Sequence, residues 1–299
     1  MDDIRVLAGG ARESDWTGMS SGDIQEWATT IWESATASTL MLPHVVRYDS
    51  PRTIEVPYTK RQTSDWATGT TDATTSGTTN YDVDDIKLTP VKYRTLLQMQ
   101  RESLALATWS VEADIRKRLA HRCALKLDKL LYSGFDDGTE SSDGDFDCAG
   151  SSVDTGTNTS VGTALSVDNI VDAIDGIRQN NYVPNTMGLR AEHHADLLKE
   201  STFISAAEHG DASVLQSGII AHFLGLNVFV SENIPEDSSD YTLSFVWDDT
   251  AAIVANIPNV FELEPHLYWR TDNVEFCAAI RAVADQLDGN AAATLYGSA

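Results

Sequence analysis

Residues Gln98–Tyr132 read QMQRESLALATWSVEADIRKRLAHRCALKLDKLLY, and this stretch decides the fold. It contains neither Gly nor Pro and is rich in Ala, Leu, Arg, Lys and Glu, so propensity predicts helix throughout. Leu104, Ala107, Val111, Ile115 and Leu119 recur at spacings of three and four and form one apolar stripe. Ala113, Ala120, Ala124, Leu127 and Leu131 form a second. A helix apolar on two faces lies between two layers. At about 1.5 Å per residue it would reach roughly 50 Å, with a glycine stop at Ser133-Gly134.

Working outward on the N-terminal side, residues 52–97 read as a long hairpin. RTIEVPYTKRQ goes out, and TNYDVDDIKLTPVKYRTLLQMQ comes back with period-two alternation at Tyr81, Val83, Ile86 and Leu88. The tip, SDWATGTTDATTSGTT, has almost nothing apolar besides Trp66. A two-stranded hairpin is marginal on its own in water, so the arm is expected to lie on a neighbouring subunit. Upstream, a helix is expected from Asp23 to Ala37, with Ile24, Trp27, Ile31 and Trp32 on one side. Paired tryptophans on such a helix are core or interface anchors.

On the C-terminal side, Phe135 to Thr163 is a low-complexity run of Asp, Gly and Ser and reads as a solvated loop. It lacks the ligand spacing and closing glutamate of a calcium loop. From Ser166 the pattern becomes α/β. Ser166 is the expected N-cap of a helix whose buried face is Val167, Ile170, Val171, Ile174 and Ile177. A strand then leads into a helix at Ala191–Lys199, and further strands are expected at Leu226–Val230, within TLSFVWDDTAAIVAN, and on either side of Thr271–Asn273.

Charge is the strongest compositional signal. The chain carries net −24 from 45 acids and 21 bases, and 30 of the acids are Asp while 7 of the bases are Lys. Many Asp and few Lys suit hydration in concentrated salt, which predicts a halophile's protein; an ordinary acidic protein is the alternative. The charge is unevenly placed: residues 1–135 hold 18 acids and 16 bases, residues 136–299 hold 27 and 5. Nine of the bases fall between Lys92 and Lys129, and Arg118, Arg122, Lys126 and Lys129 share one sector of the helix. Such a strip either pairs with acids of adjacent subunits or makes non-specific phosphate contacts.

Other classes find little support. No apolar run is long enough for a bilayer, and the N-terminus lacks the apolar core of a signal peptide. Cys123, Cys148 and Cys277 form neither a disulfide framework nor a metal cluster. Glu192, His193, His194 and Asp196 crowd one helix, but adjacent residues point about 100° apart and do not converge on a metal. No Walker loop, dinucleotide fingerprint or nucleophile elbow is present. No catalytic residue, metal or cofactor is expected.

The order of parts resembles the HK97-type major capsid proteins of tailed viruses, over nearly the whole chain. LDKLLYSG resembles that family's exit from the spine helix, GLNVFVSENIPE its glycine, strand and turn, and VEFCAAIRAVADQL with NAAATL its late strands. The resemblance implies an α+β fold: N-terminal arm 1–51, E-loop hairpin 52–97, and spine helix 98–134 of the peripheral domain. The axial α/β domain would follow at 135–258, then peripheral strands at 259–285 and a return to the axial domain at 286–299.

It further implies a structural protein that self-assembles, as hexamers and pentamers, into an icosahedral shell around double-stranded DNA in the virion. Assembly would take place in the host cytoplasm, with portal, decoration and scaffolding proteins as further partners and no membrane. Together with the acidity, it points to a virus of halophilic archaea. Trp27, Trp32, Lys60, Arg61, Trp66 and Arg94 are expected at subunit interfaces, and Arg118, Arg122, Lys126 and Lys129 on an inner surface facing DNA. No motif ties Lys60 to Asn256, Asn259 or Asn273 for the crosslink some members make, and none is expected. An encapsulin-like nanocompartment shell and a halophilic enzyme are the competing readings.

Overall fold

A computed structural model of the chain describes residues 21–58, 84–100, 111–135, 155–162, 164–200, 222–234, 241–268 and 273–298. The spine helix is present, shorter than its propensity suggests. It runs from Val111 to Tyr132 (22 residues), about 33 Å at 1.5 Å per residue. Gln98–Gln100, expected as its first turn, instead end a strand at Val91–Gln100. Cross-strand pairing overrides propensity there: Gln98 sits opposite Glu275 and Gln100 opposite Asn273. Leu104 and Ala107 of the first apolar stripe lie outside the described residues.

The hairpin needs the matching correction. Its stem is Ile54–Tyr58 (β2) against Asp84–Leu88 (β3), antiparallel, with Val56 opposite Ile86. Val91–Gln100 (β4) belongs to the body of the protein and pairs with Asn273–Gln286 (β12). Pro90 separates β3 from β4; it cannot donate to a ladder and fixes its own φ, so the chain changes partner at that point.

Two sheets share one core. In the first, Val46–Tyr48 (β1) runs parallel to Ile253–Asn256 (β10), and β10 pairs with the end of β12. Residues 273–279 of β12 lie between β4 on one edge and Glu262–Tyr268 (β11) on the other. Strand β10, expected with the axial domain, therefore sits in this sheet. The buried Asp248 makes the change of sheet: its Oδ1 accepts from Thr250 N (3.1 Å) and Oγ1 (2.6 Å), and its carbonyl accepts from Ala252 N.

The second sheet has the order β5-β13-β9-β6-β8-β7. Its strands are Thr157–Gly162, Ala292–Ser298, Tyr241–Trp247, Thr186–Leu189, Leu226–Val230 and His222–Phe223, in that order. Strand β5 falls inside the run expected to be loop. It has no apolar alternation, and parallel pairing with β13 makes it a strand. Phe135, the first residue of that run, is fully buried.

Ser21–Ser38 (α1) and Val111–Tyr132 (α2) pack against each other and, with the first sheet, close the lower layer. Ile115, Leu119, Ala120, Ala124, Leu127 and Leu131 of α2 are buried as both stripes require, while Ala113 is exposed. Val167–Gln179 (α3) packs on β5, β13 and β9. Its capping box is complete: Asn169 N donates to Ser166 Oγ, and Ser166 N to Asn169 Oδ1. Ile170, Ala173, Ile174 and Ile177 make its buried face; Val171, expected there, points outward at 46% exposure. Ala191–Lys199 (α4) lies on β9.

An aromatic column joins the end of α2 to the second sheet. Phe135 stacks on Phe245 at 4.3 Å and meets Trp247 edge-on at 5.3 Å; Tyr132 lies 6.4 Å from Phe245, and Phe229 5.8 Å from Trp247.

Candidate functional site

Two surfaces carry the charge that distinguishes residues 91–135 from the rest. The first is the outward side of α2. Lys117, Arg118, His121 and Arg122 are exposed there, while the helix's Asp128 is buried. The strip expected from the sequence is real as a geometric row, and it is tied down along its length. Arg118 Nε bonds Asp114 Oδ2 one turn back at 2.6 Å. Arg122 Nη1 donates to the Leu96 carbonyl of β4 at 2.8 Å, and Lys126 Nζ sits 4.7 Å from the centre of the Tyr93 ring. The backbone carbonyl holds the Arg122 guanidinium without neutralising it, so Arg122 keeps its charge for a partner. Lys129 lies half-buried in the same row.

The second surface is the face of β4, β12 and β11 turned away from α2. Directly opposed residues of antiparallel strands share a face. Lys92, Arg94 and Leu96 therefore stand beside Arg281, Ala279 and Cys277, and beyond them Glu262 and Glu264. Glu262 bridges Lys92 and Arg281, the latter at 3.2 Å. Burial raises the Glu262 pKa, but the bond and charge of Lys92, with those of Arg281, outweigh it and leave the carboxyl below its ordinary 4.5.

A lowered folded pKa stabilises fully above the unfolded value, and the contribution disappears as pH falls through the folded one. Thermal melts between neutral pH and pH about 3 should therefore show a steeper acid loss for the native chain than for Glu262→Gln. Equal slopes would remove Glu262 as a contributor.

Of the residues expected at interfaces, Arg94 is exposed on this sheet face. Lys60, Arg61 and Trp66 lie outside the described residues. Trp27 and Trp32 are corrected: both are buried in their own chain, at 7% and 2% exposure. Trp27 stacks on Phe276 at 5.9 Å, with the Arg116 guanidinium 4.7 Å from its ring. Trp32 faces Phe261 at 6.0 Å and donates its indole N–H to Asn259 Oδ1 at 2.9 Å. The partners come from late strands and loops, which no local pattern around the tryptophans signals.

On the histidine-rich helix α4, His193, Glu192 and Asp196 are each engaged within the chain. His193 Nδ1 is 2.8 Å from Ser244 Oγ, and burial pushes its pKa down to about 4, keeping the ring neutral. Glu192 accepts from Thr242 Oγ1, and Asp196 from Leu165 N. A cavity of about 280 Å³ lies beside these residues, walled also by Val161, Ala164 and Gly297. Among the described residues no group of three or more His, Cys, Asp or Glu is placed to hold a metal ion. No helix among them is long and apolar enough to cross a membrane.

Solved structures share this architecture. One from Mycobacterium phage Che8 aligns with TM-score 0.60 and 16% identity, covering 86% of this chain and 91% of that one. The capsid of the native GTA particle aligns with TM-score 0.56 and 15% identity over 89% and 91%. A virus-like particle from Pyrococcus furiosus aligns with TM-score 0.56 and 12% identity over 91% and 98%. At these identities the likeness shows the fold, which is HK97-like. No curated protein matches. The model of the Phage capsid family matches residues 24–295, nearly the whole chain, and on that match the protein belongs to the phage capsid family.

Proposed function

We propose that this capsid subunit is the major capsid protein of a tailed virus, and that its copies close into an icosahedral shell with the outward side of α2 turned toward packaged double-stranded DNA. The observation that carries the DNA assignment is the row Lys117, Arg118, His121 and Arg122, exposed on one helix of a chain with net charge −24. Phosphate contacts of this kind need charge without base readout and weaken as salt rises. Hexamers and pentamers of this chain, with portal, decoration and scaffolding proteins, complete such a shell in the host cytoplasm.

Charge reversal tests the reading. Arg122→Glu with Lys126→Glu should leave shells of normal diameter by electron microscopy but reduce nuclease-protected DNA by roughly tenfold or more, because two charges per copy, repeated over the whole shell, turn repulsive to phosphate. Full DNA content in normal shells would overturn it. A cargo-enclosing nanocompartment is the second reading, favoured by the particle from Pyrococcus furiosus of which the alignment covers 98%. Shells purified with protein cargo and no DNA would establish it.

The excess of Asp over Lys supports a halophilic host. Without screening, a C-terminal part with 27 acids and 5 bases repels its copies. Shells should therefore dissociate as salt falls from molar to about 0.1 M, where the Debye length reaches about 10 Å. Light scattering that stays constant through the dilution would remove the halophile assignment.

A further inference from the structure

We infer that Tyr58, Tyr182 and Asp288 form a latch that fixes the angle at which the hairpin arm leaves the body, and through it the curvature of the shell. The inference rests on the shell-forming function proposed above.

The geometry is local and specific. Tyr58 is the last residue of β2, where the stem gives way to the arm, and it pairs with Asp84. Its hydroxyl donates to Asp288 Oδ2 and lies 3.0 Å from the Tyr182 hydroxyl, which donates to the same oxygen. Asp288 Oδ1 accepts from Asn290 N at 3.0 Å. The carboxylate is 4% exposed and Tyr182 3%. Asp288 stands in the link between β12 and β13, and so between the two sheets, while Tyr182 leads from α3 into β6. One buried carboxylate thus gathers a donor from the hairpin stem, one from the second sheet's layer and one from the link.

At its entry the chain leading into the stem is tied to β10, with Asn256 Nδ2 donating to the Arg52 carbonyl at 3.3 Å. Along the stem itself a further attachment is of a different kind. Val56 and Leu88 pack with Val254 and Val283 of the first sheet in a small separate apolar cluster. Apolar contact holds the stem close but is non-directional, so alone it leaves the stem free to rock. Hydrogen bonds to a carboxylate are directional and short. Attachments at different points, apolar along the stem and directional at Arg52 and at Tyr58, define an orientation. Burial and the Asp288 bond both raise the Tyr58 pKa, so its hydroxyl stays a donor.

Tyr58→Phe removes one hydroxyl and keeps the ring, and Asp288→Asn is the second variant should the first fold poorly. Ile174→Val, in the α3 core away from the stem, is the control for general destabilisation. Amide exchange of residues 54–58 and 84–88, measured on unassembled subunits, should rise roughly tenfold or more in Tyr58→Phe but not in the control, the loss expected for one hydrogen bond to a charged group. Shells of Tyr58→Phe should show mixed diameters or fail to close. Stem exchange within about twofold of wild type, or shells of uniform wild-type diameter, would overturn the latch. A wild-type chain that forms no shells would instead overturn the proposed function, and the exchange measurement would still decide whether the knot holds the stem.

Discussion

Deleting residues 65–80 is expected to yield a subunit that folds and stays soluble but builds no closed shell. The stem strands β2 and β3 keep their five opposed pairs, and Val56 and Leu88 keep their apolar contacts to β10 and β12. The deleted stretch is Thr- and Gly-rich and holds one large apolar residue, Trp66. What the deletion removes is the stretch proposed to lie on a neighbouring subunit, since a two-stranded hairpin is marginal alone. In a closed symmetric assembly the same contact recurs in every copy, so its loss acts everywhere at once. Size-exclusion chromatography should show small species and electron microscopy no closed particles. Normal shells would end the assignment of this arm to assembly.

Phe135→Ala is expected to cost the body about 3–5 kcal/mol, the loss for a fully buried aromatic. The ring is stacked on Phe245 with planes 9° apart and stands edge-on to Trp247, so its loss empties the middle of the column. The site cannot collapse easily. On the next residue back, Gly134, an added Cβ would already lie 2.9 Å from Ile253 Cγ2, a sign of how closely this turn meets β10. A chain of this size should lose roughly 10 °C in Tm. A thermal melt that moves by less than about 3 °C would show that the column is not central to stability.

Some of this architecture was legible residue by residue. Ser166 caps its helix as expected, α4 spans Ala191–Lys199, and β8 spans Leu226–Val230, because caps, glycines and apolar periodicity are local signals. The misses have a common physical cause. Strand β4 ends in helix-favouring residues and is a strand because β12 lies beside it; β5 is polar and is a strand because β13 does. The roles of Trp27 and Trp32 depended on Phe276 and Phe261, far along the chain. The basic row could be read from spacing, but its hold on Leu96 and Tyr93 could not, since both belong to the strand mistaken for the return of the arm. The latch at Asp288 left no sequence signal, its three donors coming from separate regions.

Strand β12 is 14 residues long, flanked on both edges through residues 273–279, and continues through Asp288 into β13 of the other sheet. Tension between the two sheets therefore runs along its backbone. Because ladder hydrogen bonds lie across the strand direction, such a load shears many of them together instead of unzipping them in turn. A wall tiled from these subunits and inflated from within would load this strand along its length.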